Sequence, residues 1–378
     1  MVTPSDVSTD TQIIEPDTGY HTLDRVDRKG AKEDYIVKMN DLSVGLNQRG
    51  SLMLDIPNGR TVLCQTNFAQ DFLRELGGAG FVNYARLLRT DGQFDLLLRN
   101  IHERLDLIDG KKMIRTIENS KRPYFEARAL LSTRYKRMDN DVLFPLIDNI
   151  LKQLSSIAGR FSTAHEVKFL GGRNDGSTTH ARFVSRQPIY QNGDRKMYFG
   201  FQVRNSETRN SAIYIEFFIC DDFCENGCVF GKKELDMEPL YMKHSGREIK
   251  GTGLCPARRL SFEDSRKIQN YIFKMFNHNT VDKMHDLLKT SFDREFVSGE
   301  DLIIERLGKR HKLSEAEIEI VKEEFIDGER HAYGIQAAFT AAAQKVETFE
   351  RRADLDRVGG EILEQNDQQW ENLVALTA

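Results

Sequence analysis

Basic and aromatic side chains cluster in the middle of the chain, where together they could bind a nucleic acid. Residues 111 to 137 hold nine Lys or Arg against two acidic residues, residues 158 to 210 hold nine against four, and residues 243 to 267 hold seven against three. Lysine and arginine contact phosphates, and exposed aromatic rings stack on unpaired bases. Because no helix-turn-helix or zinc-finger pattern accompanies them, they favour a single strand over a duplex. A solvated sheet face without a ligand explains the same residues equally well.

The residues expected to contact the strand lie on predicted β-strands or at their ends. Cations would contact phosphates and tyrosines would stack on bases. The cations are Arg134, Lys136, Arg137, Arg182, Arg186, Arg204 and Arg209, and the tyrosines are Tyr135 and Tyr198. Side chains alternate along a strand, so Arg134 and Lys136 would share one face and Tyr135 and Arg137 the other. Only one of these two faces can lie against the core.

Signatures of catalysis are missing from the sequence. It contains no Walker loop, G-x-S-x-G elbow, H-E-x-x-H pair or kinase signature, so we expect neither an enzyme nor a nucleotide cofactor. His165, Glu166, Asp175 and His180 lie near one another and leave open a weaker alternative, a metal-dependent nuclease.

The five cysteines are expected to be buried thiols. Cys220, Cys224 and Cys228 are spaced by four, whereas paired zinc ligands usually have two residues between them, so no metal is predicted. The first residues are polar and acidic and contain no apolar signal, and no run of about 18 apolar residues occurs. These features predict a protein of the reducing cytoplasm that does not enter a membrane.

Hydrophobic periodicity predicts an α+β fold, in which amphipathic helices pack on a central antiparallel β-sheet and a helical C-terminal region follows. The expected divisions are a disordered acidic N-terminus (1–32), a mixed α/β region (33–110), a basic antiparallel-sheet core (111–260) and a helical acidic region (261–378). Residues 313 to 378 carry fifteen acidic side chains against six basic ones, so this region would stay away from DNA or bind a protein partner.

Two patterns fix details of the predicted core. "ARFVSRQPIY" and "KMYFGFQVRN" flank an Asn192-Gly193 pair, which is a strong hairpin signal, and their alternation predicts one buried face and one polar, partly aromatic face. The apolar positions after "MDND" recur with helical spacing, and Asn140 or Asp141 would cap that helix. Asn205, Ser206, Glu207, Asn210 and Ser211 are expected to organise the turn between two strands.

Three segments of this core carry a resemblance to a known family. They are "LLSTRYKRMDND", which leads into the amphipathic helix, "GFQVRNSETRNSAIYIE", and "CENGCVFG". Weaker matches lie in "YGIQAAFTAAAQ" and "GGEIL". Together these segments resemble the phage/plasmid-like protein family defined by the domain of unknown function numbered nine-three-two. The resemblance covers roughly residues 110 to 365 and departs from the family at Arg209, where relatives tend to have glycine.

Members of that family resemble the products of genes carried by phages and by the leading regions of conjugative plasmids, where DNA arrives single-stranded. The resemblance implies a phage or mobile-element protein that binds or anneals single-stranded DNA in recombination or replication. It would act without ATP, as a homo-oligomer, in the host-cell cytoplasm. The alternative is a non-enzymatic phage interaction or structural protein that binds a host or viral protein through its capped acidic helices.

Overall fold

The computed structural model of the chain has the α+β fold that the sequence predicts, with two sheets rich in antiparallel pairs and a helical C-terminal region. It describes residues 22, 24, 30–57, 59–119, 124–156, 166–174, 176–221, 227–230, 238–256, 260–326, 329–346 and 349–375. Most of residues 1 to 32, which are predicted to be disordered, lie outside these ranges. His165, Asp175 and Cys224 lie outside them as well.

Fourteen strands and ten helices make up the described part of the chain. The strands are β1 (Lys32–Lys38), β2 (Ser43–Leu46), β3 (Leu52–Asp55), β4 (Thr61–Cys64), β5 (Lys111–Glu118), β6 (Phe125–Ser132), β7 (Val167–Asn174), β8 (Thr179–Ser185), β9 (Tyr190–Asn192), β10 (Arg195–Asn205), β11 (Ile213–Asp221), β12 (Gly227–Phe230), β13 (Leu240–Met242) and β14 (Gly253–Leu254). The helices are α1 (Thr66–Thr90), α2 (Phe94–Asp106), α3 (Asn140–Ser156), α4 (Phe262–Met275), α5 (His278–Asp293), α6 (Glu300–Arg310), α7 (Glu315–Glu324), α8 (Ala332–Lys345), α9 (Phe349–Leu363) and α10 (Asp367–Val374).

The first sheet has the strand order β14-β1-β5-β6-β4-β3-β2, in which β4 and β6 pair in parallel and the other neighbours are antiparallel. Helices α1 and α2 cover one face, where Phe68, Leu97 and Ile101 are fully buried against the strands. Because β5 pairs with β1 along its whole length, the predicted division between residues 110 and 111 falls inside this sheet. The N-terminal region and the next two strands therefore belong to one layer.

The second sheet has the order β12-β11-β10-β8-β7, with β13 added to β11 and β9 added to β10. The predicted hairpin is confirmed, because Asn192 pairs with Arg195 and Gly193 takes the positive φ of 58° that the turn requires. The predicted buried face is confirmed as well. Phe199 and Phe201 are fully buried beneath α3, α4 and α5.

The opposite face of the second sheet is polar, as predicted, but helix α9 covers part of it. Arg182 on β8 donates through Nη2 to Asp356 on α9 (3.3 Å), and through Nε to Gln202 on β10 (3.3 Å). Gln202 in turn donates to Glu216 on β11 (2.9 Å). This part of the face is therefore a buried polar interface with a helix, and it lies beside a buried apolar cluster of Val184, Phe218 and Cys220.

The acidic C-terminal region is folded into the molecule. Helices α6 to α10 share a core that includes Phe339 and Trp370, and Leu363 reaches the core of the second sheet. The predicted capping of α7 is confirmed, since Ser314 and Glu317 exchange both hydrogen bonds of a capping box. The acidic C-terminal helices are therefore part of the folded core.

The helix that follows "MDND" begins at Asn140, which is itself one of the two predicted caps. α3 starts at Asn140, and its first helical hydrogen bond runs from the Leu143 amide to the Asp139 carbonyl (2.9 Å). Asp139 therefore occupies the cap position, rather than Asn140 or Asp141. The Asn140 side chain instead donates to Thr179 Oγ1 (2.8 Å), which joins the helix to β8.

The contact between α9 and the second sheet makes stability depend on pH through Asp356. Burial raises the pKa of Asp356 to about 7 although Arg182 opposes this shift, so the folded state holds a proton that the unfolded carboxyl releases near pH 4. This group's contribution to the free energy of unfolding therefore falls as the pH rises from about 4 to 7.

Urea unfolding of Asp356→Asn and of the wild type between pH 5 and pH 8 checks this. We expect the variant to gain stability relative to the wild type as the pH rises, because its amide carries no charge to bury. The exposed Asp354→Asn, on the same helix, is the control and should follow the wild type. A stability difference that is constant across this range would contradict the assignment.

Candidate nucleic-acid interface

Charged side chains are buried where the two sheets meet, and Arg115 lies at their centre. Its guanidinium is fully buried and donates to Asp34 Oδ1 (3.0 Å), to the Glu207 carbonyl (2.7 Å) and to Asp139. Arg137 donates to the second oxygen of Asp34 (3.2 Å). Burial alone would lower the pKa of Arg115, but the neighbouring carboxylates raise it well above its usual value. The guanidinium is therefore charged at any pH that the folded protein meets.

Glu207 extends this network toward the second sheet. Its Oε1 accepts from Lys32 Nζ (2.9 Å) and from the Asn140 amide (2.8 Å), and its Oε2 accepts from Arg128. Burial raises the pKa of Glu207, but Arg128 and Lys32 outweigh that effect and hold it below its usual value. The turn that carries Glu207 is thus tied to both sheets and to the start of α3.

Of the five residues predicted to organise the turn after β10, Ser206 does so directly through its hydroxyl. Ser206 Oγ accepts from the amides of Thr208 (3.2 Å) and Asn210 (3.0 Å) and donates to the Ser177 carbonyl (2.6 Å). Arg209 then takes the left-handed φ of 77°, the conformation that suits glycine best. Its side chain is directed into solvent.

An open cleft of about 380 Å³ lies beside this turn, between the segment after β6 and strand β13. Its lining residues are Ser132, Arg134, Tyr135, Arg209, Ser211, Ala212, Tyr241, Lys243, His244 and Ser245. We call this cavity the basic cleft, because its charged lining residues are Arg134, Arg209 and Lys243. All three side chains are exposed, and within the described residues none forms an ion pair with a carboxylate.

Paired strands form a row of aromatic and basic side chains that ends at Tyr241, which lines the basic cleft. Arg204, Tyr214 and Tyr241 are successive cross-strand partners on β10, β11 and β13. The Arg204 guanidinium lies 4.3 Å from the centre of the Tyr214 ring, and the Tyr214 and Tyr241 rings are 4.9 Å apart. Tyr241 is 47% exposed, and Lys243 Nζ lies 5.9 Å from its ring. An open aromatic surface therefore lies next to unpaired cations.

Tyr135 forms the floor of the basic cleft and is part of the core. Its ring is 5% exposed and stacks on His244 at 5.0 Å, and its hydroxyl donates to the Ser206 carbonyl (3.0 Å). The predicted stacking of Tyr135 on a base is therefore corrected, because a ring buried against His244 offers no face to a ligand. Burial also lowers the pKa of His244.

Most of the other predicted contact residues have structural partners. Lys136 pairs with Asp264 at the start of α4. Arg137 is held by Asp34 and by the Pro256 carbonyl (2.8 Å). These two cations stabilise the fold instead of facing a ligand.

The remaining predicted residues lie elsewhere on the second sheet. Arg182 pairs with Asp356, as described above, and Arg186 lies 3.8 Å from Glu166 at an exposed position. Tyr198 is half-buried, 5.8 Å from the ammonium of Lys168. Of the nine residues, Arg134 and Arg209 line the basic cleft with charges that have no carboxylate partner among the described residues. Arg204 contacts the ring of Tyr214, the cross-strand partner of the cleft residue Tyr241.

Sequence reasoning missed Tyr241, Lys243 and His244 as members of one site. Lys243 belongs to the third basic stretch, but β13 has only three residues, too few for a periodic pattern. The cross-strand pair of Tyr214 with Tyr241 follows from long-range strand pairing that no local signal reports.

An acidic cluster lies beside the charge network and could in principle hold a cation. Carboxylate oxygens of Asp139, Asp141 and Glu207 lie within 4.8 Å of one another. Glu207 is engaged through both oxygens by Lys32 and Arg128, and Asp139 pairs with Arg115. A metal ion would have to compete with these cations, so we assign no metal site. The predicted His165–His180 alternative lies partly outside the described residues.

Comparison of the chain with known protein families, with curated proteins and with solved structures gives no match. The family resemblance that the sequence suggests therefore stays a prediction. Among the described residues, no helix combines the length and the apolar character that crossing a bilayer would require.

The different environments of Tyr135 and Tyr241 predict opposite effects on stability. We expect Tyr135→Ala to lower the free energy of unfolding by about 3–5 kcal/mol, as loss of other core aromatics does. Tyr241→Ala should change it by less than about 0.5 kcal/mol, because its ring is half exposed. Urea denaturation of both variants measures this, and equal losses would contradict the assigned burial.

Proposed function

We propose that the protein binds a single-stranded nucleic acid in the basic cleft. The observation that carries this proposal is the position of Tyr241, an exposed ring beside the unpaired cations Arg134, Arg209 and Lys243. Cations of this kind attract phosphates, and an exposed ring offers a stacking surface for any base. Buried or ion-paired cations elsewhere on the second sheet contribute to the fold and not to the ligand.

The form of the cleft favours a single strand over a duplex. Its volume of about 380 Å³ suits one or two nucleotides and is too small for a double helix. Stacking on Tyr241 also requires an unpaired base, because the faces of paired bases are covered by their neighbours in a duplex.

The more specific activity rests on the resemblance alone. The resemblance implies that the protein anneals complementary strands without ATP. It would do so as a homo-oligomer encoded by a phage or mobile element. Pairing of two labelled complementary strands, followed with and without the protein, tests it. Binding without faster pairing would limit the function to strand binding.

A protein-interaction role is the second candidate, and one observation favours it. The side chains of Tyr84, Leu87 and Leu107, on α1 and at the end of α2, are 40%, 58% and 83% exposed. Exposed apolar side chains of this size can mark contact surfaces. These residues lie on or beside other helices than the acidic C-terminal ones expected from the sequence. Unchanged affinity for oligonucleotides after alteration of the basic cleft would favour this candidate.

The cations of the basic cleft should determine how binding depends on salt. Each phosphate contact contributes about 0.7 to the slope of the logarithm of the binding constant against the logarithm of salt concentration. Arg134→Ala combined with Arg209→Ala should therefore flatten the slope by roughly 1.4 and weaken binding at low salt. Fluorescence anisotropy of a labelled oligonucleotide across a salt series measures both quantities.

The control for this variant is Arg74→Ala, which removes an exposed cation of α1 that pairs with Asp71 and does not line the cleft. It should leave the slope within experimental error of the wild type. If the double variant folds and keeps the wild-type slope, phosphates do not contact Arg134 and Arg209.

Stacking on Tyr241 should appear as a selective loss of single-strand binding. We expect Tyr241→Ala to weaken binding of a single strand by about 1–3 kcal/mol and to leave weak duplex binding nearly unchanged. Parallel titrations with single-stranded and duplex oligonucleotides measure the difference. Equal losses for both ligands would show that Tyr241 does not stack on a base.

A further inference from the structure

A β-bulge directs Arg128 into the space between the two sheets. Arg115 pairs with Ala129 while the next residue, Thr116, pairs with Ala127. Arg128 is therefore the extra residue of β6, with no partner of its own on β5. Bulges of this kind turn a side chain away from the regular alternation and are frequent beside functional sites.

The Arg128 side chain lines a small pocket, which is separate from the basic cleft. The other lining residues are Ile117, Asn140, Asn174, Gly176, Ser177, Thr179 and Glu207. The enclosed volume of about 10 Å³ admits one water-sized group, and the pocket is partly open to solvent. Amides, hydroxyls and a guanidinium dominate its wall, so its ligand must be polar.

The guanidinium of Arg128 has hydrogen-bonding capacity that the described structure does not use. Arg128 is 8% exposed and donates to Glu207 through Nη1, but its Nε and Nη2 are buried without a hydrogen-bond partner. Buried donors rarely stay unsatisfied, because desolvation without a partner costs free energy. Nε and Nη2 form one edge of the guanidinium, so both donors can converge on a single oxygen of an oxyanion.

We propose that this edge of Arg128 binds a phosphate group, with one phosphate oxygen entering the pocket. Glu207, the carboxylate that lines the pocket, is engaged by Lys32 and Arg128, so it does not face the ligand with an uncompensated charge. Asn140 and Thr179 supply further polar atoms at the wall. Asp139 and Asp141, the other acidic residues of the nearby cluster, do not line the pocket.

The phosphate has two possible sources, a free phosphate ion or a phosphate of a bound strand. The turn after β10 separates the two cavities, since Glu207 lines this pocket while Arg209 lines the basic cleft. A strand that follows the turn could therefore reach both. The site does not depend on the proposed strand binding, because free phosphate would occupy it equally well.

Titration of the full-length protein with inorganic phosphate, with chloride holding the ionic strength constant, tests the proposal by thermal unfolding. A ligand that binds only the folded state raises the melting temperature in a saturable way. We expect this for the wild type, and at least a tenfold weaker apparent affinity for Arg128→Lys. Lysine keeps a cation for Glu207 but lacks the paired donors. Arg74→Ala is the control and should match the wild type.

Further variants and ligands distinguish the Arg128 site from other phosphate or metal sites. If Arg128→Lys does not fold, Ser177→Val places a larger apolar side chain at the pocket wall and should weaken phosphate binding without removing a charge. If the effect is lost in Arg134→Ala with Arg209→Ala but kept in Arg128→Lys, phosphate binds the basic cleft and the proposal is overturned. Absence of any saturable shift, or a shift with Mg²⁺ alone that Asp141→Asn abolishes, also overturns it.

Oligonucleotide titrations then separate the two sources. Weaker binding of a single strand by Arg128→Lys would show that phosphates of the strand occupy the pocket. Unchanged strand binding beside lost inorganic-phosphate binding would identify a free-phosphate site. If the basic cleft variants do not alter strand binding, the proposed function is contradicted but the Arg128 phosphate site is not.

Discussion

The structure depends on the charges buried where its two sheets meet. Arg115 is fully buried and connects Asp34 of the first sheet with Asp139 at the cap of α3 and with the carbonyl of Glu207 after β10. Removing one partner from such a network typically costs about 3–5 kcal/mol, because the remaining charges stay buried without compensation. The same network fixes the segment after β6 and the turn after β10, which form two walls of the basic cleft.

This constraint separates cations that are adjacent in sequence into two groups. Lys136 and Arg137 follow the buried Tyr135 and are held by Asp264 and Asp34, so they join parts of the fold. Arg134 precedes Tyr135 in the turn after β6, and its side chain lies in solvent. A single basic stretch therefore supplies both structural ion pairs and a solvent-exposed charge, and the buried Tyr135 lies between them.

Local patterns predicted the parts of the fold that depend on local physics. The alternation around Asn192-Gly193 identified the hairpin and the buried face of the second sheet, and helical spacing identified α3. The partners of buried charges could not be read in this way, because Arg115 and Asp34 are 81 residues apart. The pairing of Tyr214 with Tyr241 likewise depends on how β13 joins the sheet. The sequence therefore predicts which residue types a strand-binding site would use, while tertiary contacts decide which of those residues remain available for it.

Photocrosslinking tests the location of strand binding most directly. A single-stranded oligonucleotide that carries iodouracil would be irradiated with the protein, and the crosslinked peptides would be assigned by mass spectrometry. The account predicts saturable crosslinks in the peptide that contains Tyr241 or in residues 132 to 135, and their loss with unlabelled competitor strand. Crosslinks confined to α1 and α2, or to helices α6 to α10, would contradict it.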